Sequence, residues 1–337
     1  MKRIAIIGAG AIGSALGALL RRAGCDVALI GRPDHVSVIR KSGLRVDGVC
    51  GSFTVAIRAD EALVEAPDIV FLTMKTQDVL ATVDANRTIL GRLPLVTFQN
   101  GVRSDEIVAS ALPEADIVSV VVNFHARFTE PGKITILYGG SLLVGRPFSP
   151  NDDLVAGLAA TLSAAFPTRV TDNIGGAHWL KLIVNLNNAF PALTNLTLRE
   201  VYRDRGLRGL SVRTMREGLA VAKRAGIVLE GLPDMPSMFA RAVALLPLPL
   251  AGRLAAVKVA SMETRWPLIG STLQSLLRHE PTEIDYLNGE IVRVGGTFGM
   301  ATPVNSAIVR LIHDIERTGR FLTPKEVCAA IADGSIS

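Results

Sequence analysis

Ile4-Ala5-Ile6-Ile7-Gly8-Ala9-Gly10-Ala11-Ile12-Gly13-Ser14-Ala15-Leu16-Gly17-Ala18-Leu19-Leu20 puts an apolar run of strand character, a glycine-rich turn and a helix-forming stretch in immediate succession. The order is more informative than the glycines alone. A G-x-G-x-x-G turn that follows a strand and opens a helix suits a dinucleotide pyrophosphate, which needs backbone N–H donors and close backbone approach. Gly8 permits the tight turn, Gly10 removes the side chain facing the phosphates, and Gly13 lets helix and strand pack closely. The competing reading, a glycine-rich βα turn with no ligand, leaves the entropic cost of three glycines unexplained. The cofactor-binding turn is therefore expected to comprise Gly8, Gly10, Ala11, Ile12 and Gly13.

At 337 residues the chain exceeds the usual single core, so two domains are expected. Hydrophobic residues at 49% supply those cores, and the composition gives no case for disorder. The three cysteines, Cys25, Cys50 and Cys328, are odd in number and lack any C-x-x-C. They support neither a disulfide framework nor a zinc site and fit a reducing cytoplasm, so no metal is expected. Lys2 and Arg3 precede an apolar stretch in the manner of a signal peptide. However, Arg21 and Arg22 follow at once without a convincing cleavage site, and the strand–turn–helix reading accounts for the same residues. The segment from Ala242 to Ala260 is interrupted by prolines, Arg253 and Lys258, so no membrane span is expected. The formal charge of +5 is a mild excess. Its densest region, Arg199 to Arg216, is interleaved with Glu200 and Asp204 and reads as a solvated helix face rather than a nucleic-acid surface.

Apolar runs at Ile4–Ile7, Val27–Ile30, Ile69–Leu72, Leu95–Phe98 and Ile117–Val122 alternate with helical or loop stretches, which predicts a parallel sheet covered by helices. Two further runs, Lys133–Leu137 and Ser141–Val144, are joined by Tyr138-Gly139-Gly140, which predicts an antiparallel hairpin closing the sheet edge. After a strand at Arg169–Thr171, the pattern from about Gly175 onward turns to long helical periodicity. The expected architecture is an α/β N-terminal Rossmann-type dinucleotide-binding domain, residues 1–172, followed by an all-α C-terminal substrate and catalytic domain, residues 173–337. Cofactor and substrate would meet in the cleft between them. Exposed apolar helix faces in the second domain would suit a homodimer.

The position about 20 residues past the glycines, where a NAD-binding unit carries an acid for the ribose hydroxyls, here follows Val27–Ile30 and holds Gly31 and Arg32. A guanidinium presents a fork of donors to a 2′-phosphate, which favours NADPH/NADP+ over NAD(H). The alternative is that Arg32 is a surface residue and Asp34 holds the ribose. Lys75, after Ile69–Leu72, sits where it can reach a cofactor phosphate or ribose, or be solvated. Asn100, in Phe98-Gln99-Asn100-Gly101, is an amide for the nicotinamide or substrate, or part of a plain turn. His125 reads as structural or solvated in preference to a cleft residue.

Lys181, Asn185 and Asn188 stand at i, i+4 and i+7 in an otherwise apolar stretch from Trp179 to Asn188. On a 3.6-residue helix they share one face, while Asn187 points elsewhere. Such polar groups need partners, which a ligand or a buried structural network supplies. Reduction of a ketone by hydride puts negative charge on the carbonyl oxygen, and Lys181 is the best candidate for the acid that stabilises and protonates it. Glu283 and Asp285, in Pro281-Thr282-Glu283-Ile284-Asp285-Tyr286-Leu287-Asn288-Gly289, are candidate contacts for substrate; acids in the first turn of a helix are the competing reading.

Taken together these residues resemble the ketopantoate reductase (2-dehydropantoate 2-reductase) family over nearly the whole chain. The likeness rests on Gly8–Gly13, Arg32, Lys75, Gln99-Asn100-Gly101, Pro131-Gly132-Lys133-Ile134, Trp179-x-Lys181-Leu182-x-x-Asn185 and Thr282-Glu283-Ile284-Asp285-Tyr286-x-Asn288-Gly289. It implies NADPH-dependent reduction of ketopantoate, a 2-oxo acid, to (R)-pantoate in pantothenate and coenzyme A synthesis. Lys181 would be the general acid, Glu283 would hold substrate and Lys181, and Asn100 would orient substrate near the nicotinamide. Asn185 and Ser271 match positions that bind pantoate hydroxyl and carboxylate groups. Some members carry a second asparagine four residues after the first; here that position is Ala189, with Asn188 before it as the substitute. Ser275 stands where an aspartate is frequent. The lysine four residues before an asparagine is also similar to that of the β-hydroxyacid dehydrogenases, which leaves reduction of another branched 2-oxo acid as the alternative. A non-catalytic NADP(H) sensor is a third reading, opposed by the pairing of Lys181 with Glu283. A P-loop is excluded by Ser14 after Gly13, no G-x-S-x-G occurs, and His279-Glu280 lacks the second histidine of H-E-x-x-H.

Overall fold

Strand β1 (Arg3–Ile7) is apolar at every position after Arg3 because both of its faces are covered: Ile4 and Ile6 join one core, Ala5 and Ile7 another. The computed structural model describes residues 2–233, 235–261 and 269–333. The chain divides into two units, Met1–Gly175 and Gly176–Ser337. In the first unit β1 is followed by β2 (Asp26–Ile30), β3 (Leu44–Gly48), β4 (Phe53–Val55), β5 (Arg58–Asp60) and β6 (Ile69–Leu72). Then come β7 (Pro94–Thr97), β8 (Asp116–Val122), β9 (His125–Glu130), β10 (Lys133–Tyr138), β11 (Leu142–Gly145) and β12 (Thr168–Val170).

Eight of these strands form one sheet in the order β12-β11-β8-β7-β6-β1-β2-β5. The stretch from β8 to β5 is parallel throughout, whereas β11 runs antiparallel to β8. The order reverses between β1 and β6, and open α/β sheets hold their ligands beyond the carboxyl ends of the strands at such a reversal. A second sheet, β4-β3-β10-β9, lies across the helix Ala11–Arg22. Ala15, Leu16, Leu19 and Leu20 of that helix are buried in one core with Ile6 and Leu29 of the large sheet and Leu44, Val46, Ile134 and Ile136 of the small one. This buried position explains why the helix is so apolar.

The hairpin expected at Tyr138-Gly139-Gly140 does not form. β10 belongs to the small sheet, β11 to the large one, and the glycines carry the chain from one to the other. Two-residue hairpin turns need a positive φ, which neither Gly139 nor Gly140 adopts. Gly140 is instead required by close approach, since a Cβ there would lie 1.8 Å from the Asn123 carbonyl oxygen. His125 opens β9, with its ring edge-on to Tyr138 at 6.1 Å.

The second unit is helical. Its helices include Arg205–Arg224, Ser237–Leu245, Leu248–Ser261, Ser271–Leu277, Asn288–Thr297, Pro303–Thr318 and Pro324–Asp333. Its core gathers Phe190, Leu193, Leu207, Leu210, Ile284, Ile308, Ile312 and Ile315. The basic stretch Arg199–Arg216 is not uniformly solvated. Arg208 donates to the Tyr202 carbonyl at 3.2 Å, and Arg216 donates to the Val243 carbonyl at 3.0 Å, so both tie backbone segments together. No described helix is long and apolar enough to cross a membrane.

Candidate active site

The Gly8 and Ala9 amides both donate to the Ile30 carbonyl at 3.0 Å, which closes the turn after β1 onto the end of β2. Gly8 has φ +104°, and a Cβ there would lie 2.5 Å from the Met74 amide nitrogen, so only glycine lets the turn pass the loop after β6. At Gly13 a Cβ would lie 2.4 Å from Thr73 Oγ1 and 2.5 Å from the Gly8 carbonyl oxygen. Gly10 differs: the nearest atom to a Cβ there is 3.9 Å away. Packing within the protein therefore does not require glycine at position 10. A glycine there leaves room for a group from outside the chain. The helix Ala11–Arg22 has no side-chain cap and no acid in its first turn, so its N-terminal amides suit an anion. Glycine spacing, open room at Gly10 and an uncapped helix start together fit a dinucleotide diphosphate.

Arg32, directly after β2, is exposed and begins the helix Pro33–Ser42. Gly31 beside it packs on the turn, where a Cβ would stand 2.7 Å from that of Ala9. Lys75 follows β6 and is half-buried; Asn100 follows β7 and is also half-buried. Thr76 Oγ1 donates to the Asn100 carbonyl at 3.1 Å, which ties the two loops together. The buried Gln99 amide adds a second tie, donating to the carbonyls of Leu72 at 2.9 Å and Met74 at 3.2 Å. Gly8–Gly13, Arg32, Lys75 and Asn100 thus share the carboxyl edge of the parallel strands.

In the second unit Lys181 lies on the helix Ile174–Asn185. Its side chain is partly exposed, yet burial dominates its acidity. Desolvation disfavours the ammonium and brings the pKa from 10.5 down to about 8, while the negative charge of Glu283 opposes the fall. Asn185 is one turn on, at the end of the same helix, and half-buried.

The α-helix does not continue to Asn188 as the spacing predicts. A 3-10 turn, Leu186–Asn188, intervenes before the helix Ala189–Thr194. Asn187 donates its side-chain amide to the Val184 carbonyl at 3.2 Å, the acceptor that residue 188 would use in a continuing α-helix. Asn187 also accepts from Ser211 Oγ at 2.5 Å, and Ser211 lies 2.7 Å from the Tyr202 hydroxyl. Burial pushes that phenol up to about 12. Asn187, off the face of Lys181 and Asn185, thus belongs to a buried network, whereas Asn188 is half-buried and packs on Gly270, where a Cβ would stand 2.8 Å from its Cβ and Cγ. Gly270 precedes Ser271, the first residue of the helix Ser271–Leu277, so Asn188 and Ser271 come together through Gly270. Ser275 is buried and its hydroxyl donates back to the Ser271 carbonyl at 3.2 Å.

Glu283 is half-buried immediately before the 3-10 turn Ile284–Tyr286. Asp285 is exposed, and its Oδ1 lies 3.0 Å from His313 Nε2. Asn288 is buried and donates to Asn305 Oδ1 at 2.9 Å, a structural role. Sequence reasoning gave Gln99 no role of its own and missed Thr73, His35 and the pair His313 and Glu316. His35 is buried, accepts from the Gly132 amide at 2.8 Å and lies 3.1 Å from Ser14 Oγ, which fastens the glycine-rich helix to the small sheet. The His313-x-x-Glu316 spacing on a helix was the one available signal for the last pair. Among the described residues no group of three or more His, Cys, Asp or Glu is arranged to hold a metal.

Two family models match the chain: "Ketopantoate reductase PanE/ApbA" over residues 4–147 and "Ketopantoate reductase PanE/ApbA C terminal" over residues 173–316. A 2-dehydropantoate 2-reductase of Pyrococcus horikoshii is 28% identical over 320 residues, covering 94% of this chain and 98% of its own. The crystal structure of a PanE/ApbA family ketopantoate reductase from Ralstonia eutropha is 32% identical with a TM-score of 0.80, covering 94% of this chain and 99% of that one. A D-mandelate dehydrogenase solved with NADH and anilino(oxo)acetate shares the fold, with a TM-score of 0.80 at 23% identity, over 94% of this chain and 99% of its own.

Proposed function

The chain is an oxidoreductase of the ketopantoate reductase family, and on that premise we propose that it reduces 2-dehydropantoate to (R)-pantoate with NADPH, with Lys181 as the general acid. The observation that carries this reading is the match of both parts of the chain to ketopantoate reductase, together with Lys181, whose pKa burial brings down to about 8 against the charge of Glu283. An acid of that strength is largely charged near neutral pH and still transfers its proton readily.

NADPH, when bound, supplies a hydride to the C2 carbonyl carbon. Lys181 holds a proton on Nζ and delivers it to the carbonyl oxygen as negative charge develops there. Glu283 keeps that ammonium charged and in place. The amides of Asn185 and Asn188 and the hydroxyl of Ser271 bind the hydroxyl and carboxylate groups of the substrate, and Asn100 orients it. Gly8, Gly10, Ala11, Ile12 and Gly13 receive the diphosphate, and Arg32, with Lys75, receives the phosphate on the adenosine ribose.

A second reading, reduction of another branched 2-oxo acid, is favoured by Ala189 and by the 3-10 turn that presents Asn188 in place of a second helical asparagine. A panel of 2-oxo acids with NADPH consumption as readout separates the readings. Ketopantoate is expected to give the highest kcat/KM; a higher value for another acid selects the second reading. Tight NADPH binding without consumption across the panel identifies a sensor instead.

A further inference from the structure

Thr282 and Asp285 bracket Glu283, and the helix Pro303–Thr318 engages both of them. Glu316 Oε1 accepts from the Thr282 amide at 2.8 Å. Glu316 Oε2 lies 2.8 Å from His313 Nδ1, and His313 Nε2 lies 3.0 Å from Asp285 Oδ1. Within the bracket the Ile284 amide donates to Thr282 Oγ1 at 3.3 Å and the Tyr286 amide donates to the Glu283 carbonyl at 3.0 Å. Thr282 and Ile284 are buried, so the segment is anchored on both sides of the carboxylate.

We propose that His313 and Glu316 are positioning residues for Glu283, a clasp that holds the 3-10 segment so that the Glu283 carboxylate stays where its charge acts on Lys181. The inference rests on the reductase reading given above. Both imidazole nitrogens face carboxylate oxygens, and an ionised carboxylate only accepts, an arrangement that favours the doubly protonated, cationic ring. Asp285 from the 3-10 segment and Glu316 from the same helix are the charged partners bonded to it, and they raise its pKa against the effect of burial.

Stability alone gives little reason for the arrangement. The side chains of His313 and Asp285 are 45% and 64% exposed, and exposed ion pairs typically contribute only about 0–1 kcal/mol. The His313–Asp285 arm of the clasp therefore fixes geometry while adding little to the folding free energy. Geometry matters here because displacement of a group by about 1 Å can cost a large factor in rate.

The test compares His313→Ala, Glu316→Ala and Glu316→Gln in the full-length protein. Glu316→Gln keeps an oxygen to accept from the Thr282 amide, whereas Glu316→Ala does not. Both alanine variants are expected to lower kcat for ketopantoate by about tenfold or more. Their Tm should stay within a few degrees of the parent, and Glu316→Gln should recover most of kcat. A second readout needs no turnover: the lysines are 13C-methylated and Lys181 is titrated by NMR. In His313→Ala its pKa is expected to fall by about half a unit or more, because the opposing charge of Glu283 is no longer held close. Unchanged kcat and unchanged Lys181 titration in both alanine variants overturn the clasp, as does a kcat loss matched by a large drop in Tm. If the unmodified protein consumes no NADPH with any 2-oxo acid, the reductase reading fails, and the Lys181 titration still decides the clasp.

Discussion

Burial and Glu283 act on Lys181 in opposite directions: desolvation takes its pKa down to about 8, and the Glu283 carboxylate keeps it from falling further. With Lys181 as the proposed general acid, reduction would consume the proton on Nζ, so the rate should follow the protonated fraction of Lys181. That fraction declines as pH rises through about 8. Profiles of kcat/KM against pH are expected to be level below this value and to fall by about tenfold per unit above it. Removal of the opposing charge in Glu283→Gln lowers the Lys181 pKa further, so the decline should begin at a lower pH. A profile that starts to fall at higher pH in Glu283→Gln contradicts the assignment.

Gly13 and Gly10 are expected to separate folding from binding. Alanine at position 13 would place its Cβ 2.4 Å from Thr73 Oγ1 and 2.5 Å from a backbone carbonyl, so Gly13→Ala is expected to destabilise the protein by about 1–3 kcal/mol. Alanine at position 10 meets nothing nearer than 3.9 Å, and φ of −80° suits any residue. Gly10→Ala should therefore keep the parental Tm and lose NADPH affinity, measured by calorimetry. Unchanged affinity in that variant removes the turn from the cofactor site.

The exposed guanidinium of Arg32 offers a simple test of cofactor choice. Hydrogen bonds to charged groups contribute about 1.5–3 kcal/mol, so Arg32→Ala should raise the Kd for NADPH about tenfold or more. NADH binding should change little. Equal weakening of both cofactors would assign Arg32 no part in recognising the extra phosphate.

Asn188 rests against the bare α-carbon of Gly270, with 2.8 Å between its Cγ and the place a Cβ would take. Gly270→Ala forces that amide to move. If Asn188 binds substrate in both ground and transition states, KM for ketopantoate rises about three- to tenfold while kcat is nearly kept. Asn188→Ala should do the same, and the double variant should be no worse than the single ones, because both act through one amide. Additive losses would show that Gly270 acts elsewhere.

Features written in consecutive residues were legible in the sequence. β1, the Gly8–Gly13 turn and the helix after it form one continuous pattern, and Lys181 with Asn185 is readable as i, i+4 on a helix. Features that depend on distant residues were not. The Gly139-Gly140 pair signals a hairpin locally, yet its reason is the approach of Gly140 to the Asn123 carbonyl. The helix carrying Lys181 changes to a 3-10 turn where Asn187 enters a network with Ser211, 24 residues away. β3 and β4 are half-exposed and lack the apolar runs that marked the central strands. Likewise, the clasp beside Glu283 joins residues 28 and 34 positions apart, so only the folded chain reveals it.

The most direct measurement pairs cofactor binding with turnover in the unmodified protein and in Lys181→Ala, using ketopantoate as substrate. NADPH oxidation matched by pantoate formation is expected in the unmodified protein. Lys181→Ala should bind NADPH with the same Kd and turn over about 10²–10⁴-fold more slowly. Turnover in Lys181→Ala equal to that of the unmodified protein would contradict the account.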